Sequence, residues 1–310
     1  MENILHHPVL LAEVLAGLEP GRGGVFVDAT VGLGGHTRAL LEAGPELRVV
    51  GFDVDPQALE HARAVLHQFR HRVVLVHASY EHLDHQLDLL DLEQVDGILF
   101  DFGVSSLQLD AAHRGFSFRH EGPLDMRFSG EGMTAADLLA TATEVELVTI
   151  LRDFGEEPRA RRIARTLIQA RSREPLCTTS QLRRLVTRAI GGRWGATDPS
   201  TRTFQALRIA VNRELTVIAP AVENASRRLA PGGRIAAIAF HSLEDRLVKR
   251  TLRRLSGRCI CPPGTDRCEC APEPLLELIT RRPIRPGEAE TRRNPRARSA
   301  RLRLALRREP

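Results

Sequence analysis

Val25-Phe26-Val27-Asp28-Ala29-Thr30-Val31-Gly32-Leu33-Gly34-Gly35-His36-Thr37 sets the reading of the whole chain. A β-branched apolar run ends in an acid, crosses a glycine-rich turn and enters a helix at His36-Thr37. An open parallel sheet presents a nucleotide-like ligand in this way, at the carboxyl end of its first strand. Gly32, Gly34 and Gly35 let the backbone turn tightly and leave room where a Cβ would collide with that ligand. Asp53 ends the next apolar run, Val49-Val50-Gly51-Phe52, 21 residues after Gly32. That spacing suits a carboxylate accepting both hydroxyls of a ribose.

Two ribose-containing ligands compete. A dinucleotide fingerprint requires G-x-G-x-x-G, and Thr37 stands at the third glycine position. A strand-end acid followed by G-x-G-G fits S-adenosylmethionine, which has no pyrophosphate to seat on a helix N-terminus. Asp28 then faces the cationic amino-acid end of the ligand. A tight turn without a ligand explains the glycines alone, and Asp28 and Asp53 together weigh against it.

The 310 residues suffice for roughly two domains with a substantial core. No apolar run is long enough to span a bilayer, and no charged-then-apolar leader precedes a cleavage-like site. The expectation is an unexported, cytoplasmic protein with no membrane partner. The formal net charge of +5 is unevenly spread: residues 241–310 carry 18 basic and 9 acidic side chains, or +9, leaving −4 for the rest. A basic C-terminal third suits an anionic partner. Lys249 is the only lysine among 44 cations; arginine forks bind phosphate, although a coding bias gives the same count.

Around the opening stretch, residues 6–15 read as a short amphipathic helix with Pro8 in its first turn, packed over the ligand pocket. Residues 56–69 read as the helix after the second strand and 72–77 as strand three, followed directly by Tyr80, the only tyrosine. At the mouth of such a sheet a tyrosine can stack on a purine. Strand four covers 95–100 and ends in Asp101, a carboxylate beside the ligand. Asp101-Phe102-Gly103 is not a kinase signature, because the glycine-rich loop, the β3 lysine and the H-R-D motif are absent.

From Gly103 the strand–helix alternation stops. A loop of paired aromatics and arginines (114–119 and 123–128) leads into helical patterns at 135–140, 144–153, 159–172, 180–190 and 203–219. A structureless stretch of that length is improbable, so an inserted helical subdomain is expected. The domain expectation is 1–110 with 211–310 as a discontinuous core, and 111–210 as an inserted substrate-recognition subdomain. Residues 234–240 then read as a buried strand capped by 241–246, with Ser242 three before Asp245 as a capping-box variant. Cys259, Cys261, Cys268 and Cys270 form C-x-C-x₆-C-x-C, a set compatible with structural zinc or with a reduced loop; no catalytic metal is expected. Residues 301–306 alternate cation and apolar residue, the pattern of an edge strand with one wet face.

Several blocks resemble one family in order and spacing. They are 7–11, Gly34-Gly35-His36, 101–110 with Gly103-Val104-Ser105-Ser106 and Gln108, 114–118, 123–127, 201–208, 241–246 and 294–300. The chain resembles the bacterial S-adenosylmethionine-dependent methyltransferases that act on N4 of a cytidine in small-subunit ribosomal RNA, nearly end to end. The resemblance implies an α/β, Rossmann-like class I methyltransferase sheet with an inserted helical subdomain, and a target in the decoding region. It also implies cofactor contacts at Gly34, Gly35, His36, Asp53, Tyr80, Asp101 and Gln108. Two departures stand out. Asp198-Pro199-Ser200 replaces the usual His-Pro-Ala, and Asp101-Phe102-Gly103-Val104 lacks the prolines of the Asn/Asp/Ser-Pro-Pro-aromatic motif of many amino-directed methyltransferases.

The exocyclic amine of cytosine is a poor nucleophile, because its lone pair is delocalised into the ring. A carboxylate accepting its N–H localises that pair and helps receive the proton, and Asp101 is the candidate. An unstacked base is gripped by aromatic and guanidinium planes, which makes Phe116, Phe118, Arg119 and Arg127 the RNA-binding candidates. The expected partner is small-subunit ribosomal RNA, within the assembled subunit, and no DNA. The alternative is a non-catalytic ribosome-assembly factor that keeps the fold as an RNA-binding platform.

Overall fold

The computed structural model describes residues 8–191, 198–261, 265 and 273–309. Strand and helix alternate through α1 (Leu11–Leu18), β1 (Gly24–Asp28), α2 (Gly35–Ala43), β2 (Leu47–Asp53), α3 (Pro56–Val65), β3 (Val73–His77), α4 (Leu83–Leu89) and β4 (Val95–Asp101). Helices then follow one another: α5 (Ser106–Asp110), α6 (Ala135–Thr141), α7 (Glu144–Asp153), α8 (Ala160–Arg171), α9 (Thr179–Ile190), α10 (Thr201–Asn212) and α11 (Glu214–Arg228). The chain ends with β5 (Leu229–Ala239), α12 (Ser242–Leu255), β6 (Leu276–Leu278), α13 (Glu288–Arg293) and β7 (Arg301–Arg307). Contacts divide it into two compact units, Met1–Gly103 with Leu215–Pro310, and Val104–Glu214.

The first unit is a seven-stranded sheet in the order β3-β2-β1-β4-β5-β7-β6. Strands β1 to β5 run parallel, and β7 is antiparallel to both β5 and β6. Alternate residues feed opposite faces. Val27, Phe52, Ile98, Phe100 and Ile235 meet Leu87 of α4, Val222 of α11 and Val248 of α12. Phe26, Val49, Leu99, Ala236 and Ile238 meet Val14 of α1, Leu40 of α2 and Ala62 of α3. Two covered faces explain why the strands read as continuous apolar runs. The order of connection reverses between β1 and β4, so a ligand crevice opens at their carboxyl ends, where Asp28 and Asp101 stand.

The second unit has its own core, in which Leu139, Leu147, Ile163, Leu167, Leu182 and Leu207 are fully or almost fully buried. Thr134 with Asp137, Thr143 with Glu146, and Thr178 with Gln181 each close a capping box that starts a helix.

Several elements differ from their sequence reading. The first helix begins at Leu11, because Leu10 takes a left-handed φ of 55° and its N–H is tied to Glu290 Oε1 at 2.7 Å; His6 and His7 lie outside the described residues. The single helix expected over 203–219 is two, broken at Arg213 with φ 53°. Asn212 enforces the break by donating to Met126 O at 2.7 Å and accepting from Phe128 N–H at 2.8 Å. The terminal strand β7 is interior, and the edge is the three-residue β6, short enough to resist edge-to-edge pairing. Alternating arginines read as wet, yet Arg303 is buried, with its Nε 2.7 Å from Asp245 Oδ1, while Arg301 reaches Asp245 Oδ2 at 3.2 Å.

Burial pushes the Asp245 carboxyl up, but Arg303 and Arg301 outweigh it and hold the group below the ordinary value of 3.8. Asp245→Ala strands Arg303 in the interior and is expected to cost about 3 kcal/mol in urea denaturation. Arg303→Leu in the same chain should recover most of that loss; an unrecovered double variant would show that the pair is not the source.

Candidate methyl-donor site at the strand ends

The β1–α2 turn is built from backbone and acids together. Gly32 and Gly34 adopt left-handed φ values of 53° and 82°, and Gly34 caps α2. Asp28 is engaged by the turn it precedes. It is 1% exposed, its Oδ2 accepts the Thr37 hydroxyl at 2.6 Å and its Oδ1 accepts Thr30 N–H at 3.2 Å. The strand-end acid therefore pins the start of the helix. Burial, only partly offset by these hydrogen bonds and reinforced by Asp53, raises its pKa to about 6.

Asp53, at the end of β2, holds the turn from the other side. Its Oδ2 accepts Gly32 N–H at 2.8 Å and its Oδ1 accepts Asp55 N–H at 2.9 Å. Burial again dominates and raises its pKa. Gly35 is small for a different reason from the one expected: a Cβ there would lie 2.7 Å from Pro8 Cγ, so its close approach is to the chain itself.

Asp101 ends β4. Its N–H donates to Thr30 Oγ1 at 2.7 Å, and its Oδ2 lies 3.6 Å from His36 Nδ1. Its Oδ1 is out of contact with solvent and has no hydrogen-bond partner among the described residues. Burial, with the charges of Asp28 and Glu244 behind it, raises the Asp101 pKa well above 3.8. His36 is buried with Nε2 3.0 Å from Val9 O. A carbonyl only accepts, so Nε2 carries the hydrogen and Nδ1 faces Asp101.

Tyr80 follows β3 and is half-buried, edge-on to Phe100 at 5.8 Å and to Phe102 at 5.7 Å, with those two rings stacked at 5.2 Å. One acid was not singled out in the sequence. Glu244 is 0% exposed, and its Oε2 accepts Phe240 N–H at 2.7 Å. The cap of α12 is His241 with Glu244, not Ser242 with Asp245: the helix begins one residue earlier, His241 Nδ1 accepts Glu244 N–H at 3.4 Å, and His241 Nε2 sits 3.1 Å from Glu244 Oε1. The His-x-x-Glu spacing carried that signal.

The remaining sequence candidates lie in the second unit. Gln108 is 4% exposed and closes a capping box with Ser105, whose N–H it accepts at 3.1 Å. Phe116 is buried, stacked on Phe128 at 5.6 Å with the Arg114 guanidinium 5.9 Å from its centroid. Phe118 is half-buried, edge-on to Phe204 at 5.2 Å and 5.5 Å beneath Arg183. Arg127 forks onto Asp125 at 2.8 and 2.7 Å, which leaves Arg119 as the exposed member of the group. Asp198, where the resembled motif has histidine, accepts Arg183 Nη2 at 2.8 Å and Ser200 N–H at 2.9 Å, an anchoring role ahead of α10. Cys259 and Cys261 are described, whereas Cys268 and Cys270 lie outside the described residues, so the metal question is not posed by this geometry.

Residues 3–308 match the model of the MraW methylase family. The chain belongs to this family. A protein of Thermomicrobium roseum is 49% identical over 304 residues, covering 97% of this chain and 93% of that one. One of Syntrophotalea carbinolica is 49% identical over 311 residues, covering 99% of both. One of Rhizorhabdus wittichii is 49% identical over 307 residues, covering 97% and 93%. All three are named ribosomal RNA small subunit methyltransferase H.

The strand ends of this MraW methylase fit S-adenosylmethionine, the methyl donor of this class I methyltransferase. That cofactor supplies a methyl group on a positively charged sulfur. Asp28, Asp53 and Asp101 all have raised pKa values because burial penalises their charge, and a positive charge nearby favours the ionised form of such groups. Asp101 Oδ1 is a buried acceptor at the end of β4 with no hydrogen-bond partner among the described residues.

Asp28 gives this region a pH signature. A carboxyl whose folded pKa is near 6, against 3.8 unfolded, contributes its full stability below pH 3.8 and loses it as pH rises through 6. Denaturation of the wild type and of Asp28→Asn between pH 4 and 7 should diverge by about 3 kcal/mol in favour of the variant as pH rises. Parallel curves would contradict the assignment.

Proposed function

We propose that this methylase transfers the methyl group of S-adenosylmethionine to the exocyclic N4 of a cytidine in the decoding region of small-subunit ribosomal RNA, acting in the cytoplasm on the assembled subunit. Family membership and the names of the relatives support the ribosomal substrate. Among the described residues, no helix is long and apolar enough to cross a membrane. The observation that carries the chemistry is the buried, unpartnered Oδ1 of Asp101 at the β1/β4 switch point.

In this reading Gly34, Gly35, His36, Asp53 and Tyr80 hold and orient the cofactor, and Gln108 keeps the backbone after β4 in place by closing the cap of α5. Asp101 Oδ1 accepts an N–H of the target amine, which draws the nitrogen lone pair out of the ring and toward the methyl group. As the nitrogen–carbon bond forms and the sulfur–carbon bond breaks, the sulfur loses its positive charge and the amine loses a proton to the carboxylate, whose burial beside Asp28 and Glu244 favours the protonated form. His36 Nδ1 stands 3.6 Å from Oδ2, its ring held there by the Nε2–H bond to Val9 O. Arg119, with Phe118 and Arg127, is the proposed contact to neighbouring nucleotides in the second unit, and Phe116 supports that loop from below.

Protein incubated with methyl-labelled S-adenosylmethionine and small subunits from cells lacking the enzyme should place label in N4-methylcytidine. Label in any other nucleoside overturns the specificity. Asp101→Asn should lower kcat by about 100-fold or more, far more than it weakens cofactor binding. An equal loss in both would reduce Asp101 to a cofactor contact.

A further inference from the structure

The excess positive charge of the C-terminal third has two fates. Some arginines are neutralised: Arg301 and Arg303 share Asp245, and Arg254 meets Glu223. Lys249, Arg253, Arg258 and Arg281 are not. All four are exposed, and among the described residues none forms an ion pair. They converge on one cleft of about 170 Å³ in the first unit, bounded by α12, the end of β6 and buried Arg303 of β7.

The arrangement is unfavourable on its own. Lys249 and Arg253 are four residues apart on α12, where like charges repel. Arg258 is turned back beyond the helix by Gly257, with φ 74°, and Arg281 arrives from the chain after β6. Asp245, the nearby acid, is already engaged by two guanidinium groups and leaves the cleft positive. An anion placed among the four relieves this repulsion, and guanidinium forks suit phosphate oxygens. The apolar side chains of α12, Leu243, Val248, Leu252 and Leu255, are committed to the core, so the helix cannot lie in a lipid surface. Lys249, the member of the set nearest the start of α12, is five residues from Glu244, about 7.5 Å of helical rise.

We propose that the Lys249, Arg253, Arg258 and Arg281 cleft is a second RNA site, holding backbone phosphates of the strand that flanks the target nucleotide. The proposal rests on the RNA substrate argued above. It deepens that reading by assigning phosphate contact to a surface away from the reacting carboxylate.

The chain's single lysine makes the cleft directly observable. An amine-reactive acylating reagent, read by peptide mapping, reports on Lys249 apart from the N-terminal amine. A small-subunit RNA fragment containing the target cytidine should slow its acylation at least 5-fold, whereas inorganic phosphate at matched phosphate concentration should not. Lys249→Glu, Arg258→Glu and Arg281→Glu together should weaken RNA binding at least 10-fold at moderate salt. The slope of log Kd against log salt should fall by about 2, for three lost contacts to a single strand. Cofactor affinity and the melting transition should not move. Unchanged acylation with an unchanged salt slope overturns the proposal, as does protection by poly-aspartate but not RNA, or by free phosphate as strongly as by RNA. If label enters another nucleoside while RNA still protects Lys249, the N4 reading falls and this site stands. If N4-methylcytidine forms and the triple variant binds RNA like wild type, this site falls alone.

Discussion

The constraint on which the first unit depends is the burial of acids at the carboxyl ends of its central strands. Three parallel strands deliver Asp28, Asp53 and Asp101 to one end of the sheet, and burial makes each ionised carboxylate costly. Two of the three are stabilised by the loop they organise. Asp28 takes Thr37 and Thr30, and Asp53 takes Gly32 and Asp55, so the glycine turn and the start of α2 are fixed by the same groups that suffer the penalty. Asp101 Oδ1 is left buried without a partner among the described residues, the most costly of the three carboxylates to ionise.

Much of the fold was legible because strand–helix alternation is a local pattern. Val49 to Phe52 and Ile98 to Phe100 are apolar on both faces, as strands covered on two sides must be, and Pro56 after Asp55 marks a helix start that the structure retains. What was not legible required partners distant in sequence. The alternation of 301–306 is the same for an edge strand and for an interior one, and only Asp245, 58 residues from Arg303, distinguishes them. The break at Arg213 depends on Asn212 reaching Met126, 86 residues away. A 3.6-residue period does not record such a contact.

The site shows the same division. Asp53 and Asp101 stand at strand ends where the spacing put them. Their division of labour was not legible. Asp28 looked like a ligand contact and is an anchor for Thr37; Phe116 looked like a base platform and is core of the second unit. Glu244 was hidden because a carboxylate at a helix start has a sufficient local explanation in capping, and only the register of β5 shows it adding to the repulsion on Asp101.

The central claim is that the Asp101 carboxyl is held with a raised pKa until a cation enters the crevice. Carbon-detected NMR of the aspartate side chains, with Asp101→Asn to assign the signal, measures this directly. The account predicts a carboxyl titrating well above 3.8 in the free protein. It should shift downward with S-adenosylmethionine and much less with S-adenosylhomocysteine, whose sulfur is neutral. An Asp101 signal titrating in the ordinary carboxylate range, or shifting equally with both ligands, would contradict it.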